Sequence, residues 1–312
     1  MDVETVVNFS RLVLLAMVPY VLAAQGTMLS GRTGIFNVAQ EGIMLVGASV
    51  GFLAAWRFDS LAVGMLAALL VGGLFGLVLA YFTATLKLDQ FVVGLALFFT
   101  GLGLSTLFYK IAIGVTLTPP LIPTLRNRPI PGLSRIPVLG EVLFNQNVLV
   151  YVGILLSIAL YFYLYKTSWG LALRSVGENP KAADSLGINV RRYQYWTTIL
   201  GSALMGLAGA YLPMVYTGTF TAGIVQGRGW LAIALTFFGG WRPDFILYGA
   251  LFFAGLDVLS LRAQIAGGFI PYQFLLTIPY VVTILVMIFA FKWAKVPAFL
   301  GQNYDREKRS LS

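Results

Sequence analysis

The chain has 312 residues, 58% of them apolar and only 11% charged, with 34 glycines. Against roughly 25% charged residues in a soluble domain, 21 basic and 12 acidic side chains cannot cover a globule of this length, so a soluble fold is excluded and lipid is the solvent. The net charge of +9 comes from basic residues scattered singly between apolar runs, which fits loops facing anionic lipid and not a nucleic-acid-binding stripe, and the lack of Cys and His removes disulfides, thiolate nucleophiles, Cys/His metal sites, haem ligation and Ser-His-Asp triads.

Apolar runs of about 20 residues suffice to cross the hydrocarbon layer. They predict nine spans, at approximately 6–29, 35–56, 61–83, 91–111, 148–165, 196–216, 223–240, 245–259 and 271–291. The fold class is therefore all-α, a polytopic membrane protein of nine or ten transmembrane helices. Asp2 and Glu4 precede the first run in place of a basic n-region, so that run reads as a retained helix and not a cleaved signal peptide.

The second span opens on polar residues. Asn37, Gln40, Glu41, Met44 and Ala48 follow helical spacing and predict one stripe facing protein or water. A carboxylate at mid-membrane costs roughly 2.5–3.5 kcal/mol on insertion scales. Glu41 is thus expected to be paired, near an interface or lining a cavity; interaction with the amino terminus of its own helix is a reading that needs no substrate. In the third span Gly72, Gly76 and Ala80, and in the sixth Ser202, Gly206 and Ala210, fall at helical spacing and predict close helix packing.

Two connections are long, 112–147 and 166–195. Placing the second in the cytoplasm, with Arg32, Lys87, Arg242 and the tail, puts thirteen basic residues inside against eight elsewhere. The first long loop is then outside; with nine spans the amino terminus is outside too, and a tenth element would place it inside. Within the second loop, Asn179 can cap a short helix, Pro180 suits its first position and Gly187 can take the left-handed stop, which predicts a helix over 180–186. At about 10 Å it is too short to span and suits docking into a partner's groove.

Spans one to four and six to nine form two groups of four joined by the fifth. An offset of five spans inverts the second group, as in the inverted repeats of transporters, whose sites lie where corresponding spans are short or interrupted. Span two and span seven hold corresponding places, and span seven likewise opens on Gln226, Gly227, Arg228 and Gly229. Either both are interrupted spans or the polar residues are ordinary span ends. The organisation is one transmembrane domain: repeat one at about 6–112, the linking span, the cytoplasmic loop, repeat two at about 196–292, and a tail from 293. No GxxxxGK[ST] phosphate loop is present, so this chain does not hydrolyse ATP by that route.

The segments GRTGIFNVAQEGIMLVGA (31–48), LSRIPVLGEVLFNQNVLVY (133–151), LRSVGENPKAADSLGINV (173–190) and GRGWLAIALTFFGGWRP (227–243) resemble the permease subunits of ABC importers for nucleosides, within the larger ribose, galactose and branched-chain amino acid permease group. Ala39 stands where a glycine is expected in many relatives. The resemblance implies a prokaryotic cell-membrane protein without cofactor or catalytic residues. Its implied partners are a second permease chain, two cytoplasmic ATPases and an external substrate-binding lipoprotein. It also marks Arg174, Gly177, Glu178, Asn179, Pro180, Ala182, Ala183, Asp184 and Gly187 as the ATPase-coupling segment. The substrate path is expected along Asn37, Gln40, Glu41, Gln226 and Trp230: amides can bond ribose hydroxyls or base edges, and an aromatic face can stack on a base. Simple sugars such as ribose or galactose are the alternative cargo. A stand-alone secondary transporter is the rival of another class, with Glu41 as its one candidate coupling carboxylate, and a membrane enzyme would lack both His and Cys.

Overall fold

The computed structural model describes residues 3–114, 116, 118–265, 277, 280–285, 288 and 295–305. Its helices are α1 (Val3–Gly31), α2 (Gln40–Phe58), α3 (Leu61–Ala80), α4 (Gln90–Ile113), α5 (Leu139–Leu143), α6 (Val148–Lys166), α7 (Ser168–Glu178), α8 (Pro180–Ser185), α9 (Val190–Tyr211), α10 (Arg228–Phe238) and α11 (Pro243–Ile265). Two strands of two residues each, Arg128–Pro129 and Asn145–Gln146, pair antiparallel in the first long loop. Among the described residues seven helices are long and apolar enough to cross a membrane: α1, α2, α3, α4, α6, α9 and α11.

These helices fall into two classes with a common physical cause. α1, α2 and α9 are mostly buried, whereas α3, α4 and α6 are mostly exposed and more apolar, because their solvent is lipid. α3 illustrates the division: Leu66, Leu70, Leu74 and Leu77 point outward, while Gly64, Ala68, Gly72 and Leu79 are buried. The expected packing of small residues is present, since a methyl group at Gly72 would collide with the Ser202 carbonyl, and one at Gly76 would lie 2.6 Å from the Thr198 carbonyl. Backbones at this distance leave no room for larger side chains, and α9 becomes the axis on which α1, α2 and α3 all rest.

The ends of the bundle sort the loops. Gln146 reaches the Arg11 carbonyl and Arg262 the Thr5 carbonyl, so the chain start, the 114–147 loop and the end of α11 share what is called here the α5 end. Residues 295–305, α7, α8 and the α3–α4 turn share the opposite, α8 end.

Three expectations need correction. The second span does not begin at 35: residues 35–39 have no regular structure and the helix starts at Gln40. The seventh is only the 11-residue α10, about 16 Å long and half of what a crossing needs. The loop 166–195 is mostly helical, and α9 starts at Val190, six residues before the expected 196, because Asn189 caps it by accepting from Arg192 N–H at 3.0 Å. Most of the ninth span, 271–291, lies outside the described residues.

Candidate functional site

The two short or interrupted elements meet inside the bundle. α10 begins after an irregular stretch that ends with Gln226 and Gly227 in left-handed conformations (φ 52° and 77°). Its first N–H groups would be unpaired in hydrocarbon. They point instead at Glu41: Gly227 N–H donates to Oε1 and Gly229 N–H to Oε2, both at 2.8 Å. Position 229 must be glycine, because a Cβ there would stand 2.6 Å from the Glu41 nitrogen. Glu41 is therefore stabilised by the amino terminus of α10, and it also stands in the first turn of its own helix, where a carboxylate suits the helix dipole. Each such charged hydrogen bond is worth about 1.5–3 kcal/mol.

The other end of α10 is held from the same connection. Arg32, itself buried, donates from Nε to the Trp241 carbonyl at 2.8 Å and from Nη2 to the Gly240 carbonyl at 3.4 Å and the Tyr165 hydroxyl at 2.9 Å. A cation at the carboxyl end and an anion at the amino end match the dipole of α10. The segment between Arg32 and Glu41 thus grips the half-helix at both ends.

A third anchor was not read from the sequence. The Tyr20 hydroxyl donates to Asp257 Oδ2 at 2.5 Å, and Arg228 Nε lies 4.0 Å from the same oxygen, joining α1, α11 and the start of α10. Asp257 interrupts an otherwise apolar run, and an acid in such a place signals a function or a partner. That signal was available. Of its partners, Arg228 stood among the polar residues opening span seven, whereas Tyr20 lies 237 residues away and carried no signal.

Of the expected path residues, Asn37 and Gln40 are fully buried. Asn37 precedes the helix and so leaves the predicted stripe. Its Oδ1 accepts from Ala39 N–H at 2.9 Å, shaping the break, and its Nδ2 donates to Ser202 Oγ at 3.1 Å. Gln40 donates to the Asn37 carbonyl at 3.1 Å, while its buried Oε1 has no hydrogen-bond partner among the described residues. Gln226 and Trp230 are exposed; Gln226 Oε1 accepts from Arg228 at 3.4 Å, and the Trp230 ring meets Phe98 edge-on at 5.6 Å. Glu41 is thus brought against 227–229, whereas Asn37 turns toward α9.

The segment marked as coupling is built as its residues predict. Asn179 Oδ1 accepts from Ala182 N–H at 3.0 Å, Pro180 is the first helical residue, and Gly187 (φ 83°) ends the helix by donating to the Asp184 carbonyl at 2.9 Å. The helix stops at Ser185, with Leu186 as its cap. Its faces differ: Lys181, Ala182, Ser185 and Leu186 are exposed, the last at 80%, while Ala183 is buried with Val176 and Val190. Ala183 therefore seats α8 on its own subunit and is not on its exposed face. Gly177 presses on the Arg32 carbonyl, where no Cβ fits, Glu178 accepts from Ala298 N–H at 3.3 Å, and Arg174 lies over the Tyr165 ring at 4.7 Å. Among the described residues no cluster of three acidic residues could hold a metal ion.

Comparison with known proteins places this architecture. Residues 9–291 match the family model described as branched-chain amino acid transport system / permease component. The chain is 34% identical to the guanosine ABC transporter permease protein NupQ of Bacillus subtilis, over 93% of this chain and 94% of that one. It is 35% identical to the nucleoside ABC transporter permease protein NupC of Lactococcus lactis, over 93% and 94%. It is 33% identical, over 92% and 94%, to a protein of Haloferax volcanii assigned provisionally as glucose ABC transporter permease protein TsgC13. A solved structure described as an inward-facing metal-chelate type ABC transporter shares the fold, with a TM-score of 0.50 at 18% identity, covering 89% of this chain and 84% of that one. The chain belongs to the branched-chain amino acid transport system permease family: it is a multi-pass membrane subunit of an ABC transporter that works with an ATPase and other ABC components, a transport component and not an enzyme.

Proposed function

We propose that this permease imports nucleosides, released inward as ATP-driven movements in two cytoplasmic ATPases act on α8. A second, related permease chain completes the path and an external lipoprotein delivers the cargo. The α8 end and the tail face the cytoplasm of a prokaryotic cell, and the α5 end faces outward. We read the two groups of four spans as inverted repeats that place α2 and α10 in corresponding positions.

The observation that carries the reading is the pair of faces on α8. One is buried on the subunit, and the other offers Ala182, Ser185 and the almost bare Leu186 at the end of the bundle, as a helix needs that is pushed by one partner and rigidly attached to another. Nucleoside as cargo is supported by the NupQ and NupC relatives. Beside the α2–α10 junction, Trp230 offers an aromatic face for stacking on a base, and Gln226 offers an exposed amide.

Uptake of labelled guanosine by the complete complex in proteoliposomes, with glucose as competitor, tests the cargo. Guanosine uptake that needs ATP and ignores glucose is expected; displacement by glucose transfers the assignment to sugars. Cysteine labelling tests the orientation against a cysteine-free background. Thr118→Cys should react with an impermeant thiol reagent in intact cells and Ser185→Cys should not, and the opposite pattern reverses the topology.

A further inference from the structure

Residues 295–305 return to the α8 end and lie across three elements. Two of their N–H groups reach different elements: Phe299 N–H donates to the Gly177 carbonyl at 2.9 Å, at the end of α7, and Gly301 N–H donates to the Gly34 carbonyl at 3.0 Å, in the connection that grips α10. One short peptide therefore bonds the coupling unit on one side and the broken segment on the other. Further along, the Tyr304 hydroxyl donates to Asp184 Oδ2 at 2.9 Å, on α8 itself. Asn303 Nδ2 donates to the carbonyls of Lys87 and Leu88 at 2.7 and 2.8 Å, and Lys87 pairs with Asp305 at 2.8 Å, on the α3–α4 turn.

A side-chain relay closes the circuit. Gln90 Nε2 donates to the Gln302 carbonyl and to Asn303 Oδ1, both at 3.1 Å, while its Oε1 accepts from Phe36 N–H at 2.7 Å. Phe36 adjoins Asn37 and stands five residues before Glu41. The route from Asp184 to the α2–α10 junction thus alternates hydrogen bonds with covalent chain: Asp184 to Tyr304, along the peptide to Asn303 and Gln302, across Gln90 to the Phe36 N–H, and along the chain to Glu41. The alternative route is the close approach of Gly177 to the Arg32 carbonyl, a contact that can push but cannot pull.

We propose that residues 298–305 are a transmission strap that carries movement of α7 and α8 in both directions to the 32–41 segment and so to α10, with Asn303, Tyr304, Asp305 and Gln90 as positioning residues. The inference rests on α8 being the helix that meets the ATPase. A strap of this kind predicts uncoupling and not collapse when it is cut, because its bonds lie at the bundle end and outside the α1–α2–α9 core.

The test uses the complete transporter in proteoliposomes and reads guanosine delivered per ATP hydrolysed for Tyr304→Phe, Gln90→Ala and the pair Tyr304→Phe/Asp305→Asn. ATPase co-purification and hydrolysis without substrate should stay within about twofold of wild type, while the delivery ratio falls at least about fivefold in the pair, as loss of a coupling between sites predicts. The exchange Lys87→Asp/Asp305→Lys should recover the ratio that Lys87→Asp alone loses; position 87 has φ 58°, which Asp tolerates. An unchanged ratio in all variants, or Tyr304→Phe failing to assemble, would overturn the strap. Ala182→Arg on the outer face of α8 is the separate check on the underlying reading: if it transports normally, α8 is not the ATPase contact, whereas its inactivity beside a normal strap ratio sinks the strap alone.

Discussion

The α2–α10 junction and the α7–α8 unit are both built around a helix amino terminus, yet they solve its unpaired N–H groups from different distances in sequence. α8 is capped by Asn179, the residue immediately before it, in contact with water. α10 is capped by Glu41, 186 residues away from Gly227 along the chain and buried in the bundle. Water forgives a missing cap, since solvent takes over the N–H groups; hydrocarbon does not. The junction should therefore be expensive to disturb, and α8 easy to disturb without harm to the fold.

Glu41→Ala is the variant that strains this contrast most. It removes two charged hydrogen bonds and leaves Gly227 and Gly229 N–H groups bare, so a loss of about 3–5 kcal/mol is expected, read from thermal unfolding of the purified complex. A loss under about 1 kcal/mol would place water at the junction and remove the distinction. Gly229→Ala keeps the carboxylate but drives a methyl into the α2 backbone, and about 1–3 kcal/mol is expected from the same measurement. If Gly229→Ala costs nothing, α10 can shift away from Glu41 and the grip is loose.

On the other side, Asn179→Ala should cost about 1 kcal/mol, felt locally. Hydrogen exchange of the α8 amides should speed up while the unfolding temperature of the complex barely moves. Smallest for the fold is Ala182→Arg, exposed at the outer face, with an expected change within about 0.5 kcal/mol and a loss of transport. Ala183→Arg is a poor probe of docking, since Ala183 is buried beneath α8 and the new side chain would unseat the helix. The two variants should differ in the mobility of α8 amides, and equal behaviour would remove the distinction between its faces.

Much of this was legible before any coordinates. The composition dictated lipid as solvent, apolar runs located the seven long helices, and small residues at 72, 76, 202 and 206 forecast close packing of α3 and of α9, though not that the two pack on each other, because each is a property of neighbours in sequence or of one helical face. The Asn179, Pro180 and Gly187 signals delimited α8 to within a residue for the same reason: caps act over three or four residues. The family resemblance rested on such local strings and agrees with the match over residues 9–291.

What lay beyond the sequence was which elements stop short and who satisfies their ends. Hydropathy treats 223–240 as one run, since irregular backbone inside a protein can be as apolar as helix; only the tertiary fold decided that its first part is unwound and that Glu41 completes it. Asn37 illustrates the same limit, its spacing helical but its amide bound to Ala39 N–H and Ser202 in the irregular segment before α2. The tail carried no motif, because two of its bonds, to Gly177 and Gly34, come from backbone N–H groups that every residue possesses, and the partners of Asn303, Tyr304 and Asp305 lie more than a hundred residues away. Local chemistry writes helices and caps into a sequence, whereas pairing between distant backbone and buried polar groups depends on which surfaces the packed bundle brings together.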